Sequence, residues 1–207
     1  MFKTRKKITG EAGFSLVEML IVMTVLLVVL SLVSSVFMAA LGTRDRETQK
    51  TDALTSVQAA LNVMSREIGT SGFGLDGNGI VTANSNENKI HFRANIQNDD
   101  WRTDDAGEEI MYYYDAKTNS VVRYDRFATP STSIVINRVS NVTFKYFNFS
   151  GSNSSPVESS VATNKTGKIK ISLLVQLDDV QGQPKNQKIS LTTEIALRNS
   201  EYMLNQY

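Results

Sequence analysis

The chain contains no cysteine, which excludes disulfides, zinc–thiolate sites and thiol nucleophiles together. A domain exported in this form must be held by packing alone. Histidine occurs once, as His91, within a stretch that alternates like a strand, and the sequence offers it no partner that would make it a base or a ligand. Without histidine or cysteine pairs, nucleophilic and zinc chemistry have no apparatus, which disfavours an enzyme. Net charge of one sign is missing too. Lysine plus arginine total 22 against 21 acidic residues, and the resulting +1 gives no reason to expect nucleic acid as a partner. Proline is absent from Met1 to Thr129, so no proline interrupts a helix there. No internal repeat is visible.

What the chain does have is one long apolar run. From Met19 to Gly42 the only polar side chains are hydroxyls, and about 20 such residues in a helix span a hydrocarbon core. Lys3, Arg5, Lys6 and Lys7 precede the run with only Glu11 opposing them, and removing residues 1–13 leaves a net charge of −2. By the positive-inside bias the N-terminus stays in the cytoplasm and everything after the run lies outside it. A cleavable secretory signal would have a shorter apolar core ending at small residues, for which Ala39 and Ala40 are the candidates. One carboxylate, Glu18, sits at the start of the run, where an ionisable group is costly unless it has a partner or reaches the headgroup interface.

Beyond the run, Leu54, Val57, Leu61, Met64 and Ile68 recur at steps of three and four, with Arg44, Asp45, Arg46, Glu47, Lys50, Arg66 and Glu67 among the remaining positions. One helix from Phe14 to Ile68, ended by Gly69 and Gly72, accounts for both segments; two helices broken near Gly42 are the alternative. After Gly79 the period changes to two. Lys89–Ala94 reads as a strand, Ile110–Tyr114 and Val121–Arg126 flank "DAKTNS" as a hairpin, and Ile134–Arg138 and Val142–Phe149 follow. Ser150–Gly167 is polar and reads as a long exposed loop. Ile169, Ile171, Leu173, Val175 and Leu177 then share one face, answered by Ile189, Leu191, Thr193, Ile195 and Leu197 across "DDVQGQPKNQ", which predicts an antiparallel hairpin with one buried face. The fold class is α+β.

Several local patterns carry weaker chemistry. "GFGLDG", Gly72–Gly77, satisfies G-x-G-x-x-G, but a helix precedes it and no helical pattern follows, so it reads as a helix-terminating turn. "DGNG" with Asp99, Asp100, Asp104, Asp105, Glu108 and Glu109 supplies the carboxylates a calcium ion needs, yet the spacing fits no EF-hand loop and a solvated acidic loop is the simpler reading. Calcium is therefore the one cofactor for which candidate ligands exist, namely Asp99, Asp100, Asp104 and Asp105. Tyr112, Tyr113 and Tyr114 read as two faces of a strand, with an adhesive patch as the alternative. Asn141, Asn148, Asn153 and Asn164 match the glycosylation acceptor pattern, which a polar chain generates by chance.

The N-terminal residues carry a resemblance. "GFSLVEMLIVMTVL", Gly13 to Leu26, behind a basic leader resembles the signal sequence of type IV pilins and of the type II secretion pseudopilins. In that resemblance Gly13 stands before the cleaved bond, Phe14 becomes the N-methylated first residue, and Glu18 is the glutamate at fixed spacing that serves assembly. "VMSREIGTSGFGL", "IMYYYDAKTNSVVRYD" and "LTTEIALRN" are similar to pieces of PilW-type minor pilins, and the J-type pseudopilins are nearly as close. The implied organisation is a cleaved leader over 1–13, a transmembrane and assembly helix over 14–42, an amphipathic helix half over 43–69 and an antiparallel β-rich extracytoplasmic domain over 70–207. The implied function is that of a pilin-like subunit that initiates or caps a type IV pilus or a secretion pseudopilus. Its partners would be a prepilin peptidase, other pilins, the inner-membrane assembly platform and lipid. It would sit in the bacterial inner membrane with the C-terminal domain outside, and then in the fibre. The competing reading is a membrane-anchored adhesin or binding protein for DNA or a calcium-dependent ligand, which never enters a fibre.

Overall fold

A computed structural model describes residues 13–97, 102–150, 155–181 and 184–204. The first element is a single α-helix, α1, Leu16–Gly69. It passes through Gly42 without a break, because nothing in the stretch lacks a backbone N–H. The chain divides into two compact units, Met1–Asp45 and Arg46–Tyr207.

In the first unit the large apolar side chains from Phe14 to Leu41 are exposed, and α1 is long and apolar enough to cross a membrane. Three of its hydroxyls bond within the helix: Thr24 Oγ1 donates to the carbonyls of Leu20 and Ile21, Ser31 Oγ to Val28 and Ser35 Oγ to Leu32. Such side chains enter an apolar medium without leaving a donor unpaired.

In the second unit α1 buries Val57, Ala60, Leu61, Met64 and Ile68 on one face, while Leu54 is only half-buried. Each fully buried aliphatic side chain there contributes roughly 1.5–3 kcal/mol. Two residues read as part of the polar surface have other roles. Arg46 is buried and donates to the carbonyls of Asp178 at 3.1 Å and Pro184 at 2.6 Å, which ties the helix to a loop 132 residues and more away in sequence. Glu67 is held by the sheet, as described below.

The helix ends where the glycines predict. Gly72 has φ +79°, and a Cβ there would stand 2.3 Å from the Gly77 carbonyl oxygen, so only glycine fits. Among the described residues eight strands follow: β1 Lys89–Arg93, β2 Glu109–Asp115, β3 Ser120–Asp125, β4 Thr132–Ile136, β5 Val139–Asn148, β6 Val157–Ser159, β7 Thr166–Gln176 and β8 Lys188–Ala196. They form two antiparallel four-stranded sheets, in the orders β1-β2-β3-β4 and β6-β5-β7-β8. A short helix, α2, Glu201–Leu204, closes the described chain. Side chains of α1 and of both sheets join in one apolar core.

The final hairpin pairs as its alternation requires: Ile169 faces Ile195, Ile171 faces Thr193, Leu173 faces Leu191 and Val175 faces Ile189. "DAKTNS" makes the turn between β2 and β3, with Asn119 in the left-handed region at φ +49°. Two expectations change. The β4–β5 boundary falls earlier, because Arg138 adopts φ +59° and turns the chain out of the first sheet into the second. Ser150–Gly167 is not wholly loop: β6 pairs with β5 along Tyr146–Asn148, and Ala162 and Thr166 are buried. A three-residue edge strand with Val157 exposed leaves no alternation to read.

Candidate functional site

The N-terminal site is built by the way α1 begins. Gly13, Phe14 and Ser15 lie outside the helix; among the described residues no atom beyond the chain neighbours comes within 4 Å of a Cβ placed on Gly13, and Phe14 is 81% exposed. Ser15 is the cap. Its Oγ accepts from Val17 N at 3.3 Å, and its own N donates to Glu18 Oε2 at 3.2 Å. Ser15-Leu16-Val17-Glu18 is thus a capping box, in which serine and glutamate satisfy donors at opposite sides of the first turn. The carboxylate also meets the positive end of the helix dipole. The sequence gives Glu18 a part in assembly or a place at the headgroup interface; S-x-x-E ahead of an apolar run is the signal for the capping part. Gly13, Phe14 and Glu18 therefore all lie on exposed chain at the start of the helix.

The acidic loop behaves differently from its reading. Asp99 and Asp100 lie outside the described residues. Asp104 is exposed and pairs with Arg102 at 3.6 Å. Glu108 is buried and accepts from the backbone N–H groups of Gln97 and Asp105, so it staples the loop. Glu109, only 6% exposed, accepts from Arg93 Nη2 at 3.1 Å and Arg126 Nη1 at 3.2 Å. Glu108 and Glu109 are thus not solvated, because backbone and guanidinium donors take their charge inward. Among the described residues no group of three or more His, Asp or Glu is placed to hold a metal ion.

His91 has a partner after all. Its Nε2 lies 3.1 Å from Glu109 Oε1, and Nδ1 lies 3.4 Å from Asn84 Nδ2. The two strands bring them together diagonally on one face, since His91 pairs with Met111 and Glu109 with Arg93, two positions along, a juxtaposition 18 residues apart that no local pattern reveals. Burial lowers the imidazole's pKa more than Glu109 raises it, so the ring titrates below its ordinary range. Burial alone would raise Glu109, but the hydrogen bond and charge of Arg93, then Arg126 and His91, hold its carboxyl below the usual value.

A second polar cluster joins helix to sheet. Arg123 Nε donates to Glu67 Oε2 at 2.9 Å and Arg123 Nη2 to Asp125 Oδ2 at 3.2 Å. Tyr112 Oη donates to the same Glu67 oxygen. Burial first, and then the adjacent carboxylate, raises the Tyr112 phenol well above its ordinary value, so it acts only as a donor. Of the three tyrosines, Tyr112 is buried and Tyr113 and Tyr114 are half-exposed, the two-faced strand that alternation predicts.

Residues 8–41 match the prokaryotic N-terminal methylation motif, a type IV pilin-like prepilin signal. No curated protein and no solved structure matches the chain. The chain therefore couples a prepilin-type N-terminus to an α+β fold of pilin-like arrangement, one long N-terminal helix with its second part packed on antiparallel sheets.

Proposed function

We propose that this protein is a minor pilin or pseudopilin, made as a precursor, cleaved between Gly13 and Phe14 by a prepilin peptidase, methylated on the new Phe14 amine and built into or beneath a fibre. The observation that carries this is the exposed, non-helical Gly13–Phe14 segment directly ahead of a capped apolar helix, inside the matched motif. A peptidase needs extended backbone at the bond it cuts, and the Ser15–Glu18 cap starts the helix just after it. Hydrolysis leaves a carboxylate on Gly13 and an amine on Phe14.

Glu18 then acquires its second partner. In a bundle of such helices, the amine of a neighbouring subunit displaced along the fibre meets Glu18. A misplaced subunit leaves two charges unpaired in an apolar setting, which gives the pair its value as a register device. The basic leader keeps the N-terminus cytoplasmic and Arg46–Tyr207 outside the inner membrane. The three pieces resembling PilW-type minor pilins favour a pilus-initiating or tip subunit, and a J-type role in type II secretion is the nearest neighbour of that assignment. No cofactor is required.

Intact-mass measurement and N-terminal sequencing of protein extracted from membranes test the proposal. The expected first residue is a methylated Phe14. A chain beginning at Met1, recovered from cells with an active prepilin peptidase, overturns it.

A further inference from the structure

Where β2 ends beside the start of β1, a tyrosine that the core does not take up meets an exposed turn. Asn86, Asn88, Lys89, Met111, Tyr113 and Tyr114 line an open pocket of about 360 Å³ there. We propose that this pocket binds one pyranose ring of a glycan, a binding role separate from fibre assembly.

Three observations carry it. The first is that the lining supplies both kinds of contact a sugar ring uses. A pyranose has an apolar C–H face and a rim of hydroxyls, so it is held by an aromatic ring against the face and by groups at the rim that can both donate and accept. Tyr113 is half-exposed, lies across the ladder from Lys89 and shares its side of β2 with Met111. Each carboxamide offers an acceptor and a donor, and Asn86 and Asn88 present two of them on exposed chain. The second is that the turn is fixed within the fold. Asn86 and Lys89 exchange backbone hydrogen bonds at 2.8 and 3.4 Å, and Tyr114 N donates to the Asn88 carbonyl. Asn86 Oδ1 accepts from Asn88 N at 3.0 Å, and the hydroxyl of buried Tyr146 donates toward the carbonyls of Asn86 and Lys89. Tyr114 is itself anchored through Oη to Asn119 Oδ1. Binding therefore orders few groups. The third is that the recognition groups are not used up: among the described residues the Asn88 carboxamide, the Tyr113 hydroxyl and the Lys89 ammonium make no hydrogen bond or ion pair. The flanking carboxylates are engaged elsewhere, Glu87 with Lys145 and Asp115 with Lys117 N and Thr118 Oγ1. A cationic ligand would meet Lys89 with no carboxylate in the lining, and a phosphate would find a single cation. A neutral or acidic sugar fits both facts.

The test is an array of immobilised oligosaccharides ending in glucose, galactose, N-acetylglucosamine or glucuronic acid, probed with the full chain in a detergent without a sugar headgroup. Retention on at least one saccharide is expected, with saturable isothermal titration by the free form of that saccharide. Tyr113→Ala should weaken binding about tenfold through loss of the stacking face, and Tyr113→Phe should weaken it less. Ile134→Ala, exposed on β4 of the same sheet and outside the pocket, should leave it unchanged. Retention on glucuronic acid alone, lost in Lys89→Gln, identifies an acidic sugar; retention on the uncharged sugars identifies a neutral one. Oligothymidylate on the same array separates sugar from nucleobase stacking, and binding to it alone overturns the proposal. Absence of saturable saccharide binding overturns it too, as does undiminished binding by Tyr113→Ala. Should Tyr113→Ala fail to fold by circular dichroism, Asn88→Ala removes a side chain with no hydrogen bond among the described residues; a drop in affinity there supports the proposal, and undiminished affinity overturns it.

Discussion

Leu16–Asp45 and Arg46–Gly69 are parts of one helix in opposite circumstances. The first part is apolar all round, and its large side chains are exposed from Leu16 to Leu41; the second is amphipathic and buries one face in its own unit. Both parts are helical, so the difference lies in where the apolar surface finds its contacts. A helix hydrophobic on every side has no solvent-facing stripe and is stable only in lipid or among other helices. A helix with a single apolar stripe can be completed by one sheet face, and here it is. The glutamates of the two parts repeat the contrast: Glu18 satisfies a neighbour in its own turn, while Glu67 is held by Arg123 and Tyr112 from a distant strand pair.

The comparison breaks most sharply at Glu18. If the first part is an assembly element, Glu18→Ala abolishes or severely impairs pilus formation or secretion while the cleaved protein persists in the membrane at normal abundance. Complementation of a deletion strain, scored beside immunoblots of the membrane fraction, measures both. Full activity at normal abundance would show that the helix is only an anchor.

At Leu61 the expected effect is on stability. Leu61→Ala leaves a cavity between α1 and the sheets and should cost roughly 2–5 kcal/mol in denaturant unfolding, whereas Lys50→Ala, on the exposed face, should be nearly neutral. Equal losses would mean that the second part does not pack as described.

A smaller effect concerns pH. His91 and Glu109 both hold their protons less readily folded than unfolded, so the unfolded state binds more protons and stability falls with acidification. For His91 the decline begins as pH drops through its ordinary 6.5; for Glu109 the stabilisation is complete above its ordinary 4.5 and disappears as pH falls through the lower folded value. His91→Gln should flatten the stability profile between roughly pH 7 and 5 and leave the acid limb in place. A profile unchanged by His91→Gln would remove the histidine from the account.

Smallest of all is the cap. Ser15→Ala should fray the first turn at a cost of about 1 kcal/mol, visible as faster hydrogen exchange of Val17 N–H in lipid nanodiscs. No change in exchange there would show that the Ser15–Glu18 box does not hold the helix start.

Much of this was readable along the chain because it depends on near neighbours. Glycine at Gly72, the three-and-four spacing of Val57, Leu61, Met64 and Ile68, and the alternation of Ile169–Val175 each record a local demand of backbone or a single buried face. The Gly13–Phe14–Glu18 set is equally local, which is why a prepilin-type motif could be read there, and the capping box was available in the letters S-L-V-E of the same stretch. The pairings of Arg46 with the 178–184 loop, Glu67 with Arg123, and His91 with Glu109 were not, because a charged residue has the same letter whether water or a distant strand satisfies it. The division into two sheets at Asn137 and Arg138 was equally hidden. What the sequence by itself determined was the long apolar helix, the prepilin-type motif at its start, the helix stripe and the last hairpin. Only the tertiary structure decided which charges are buried and whose partners they are, since desolvation and pairing depend on what the folded chain brings within a few ångströms.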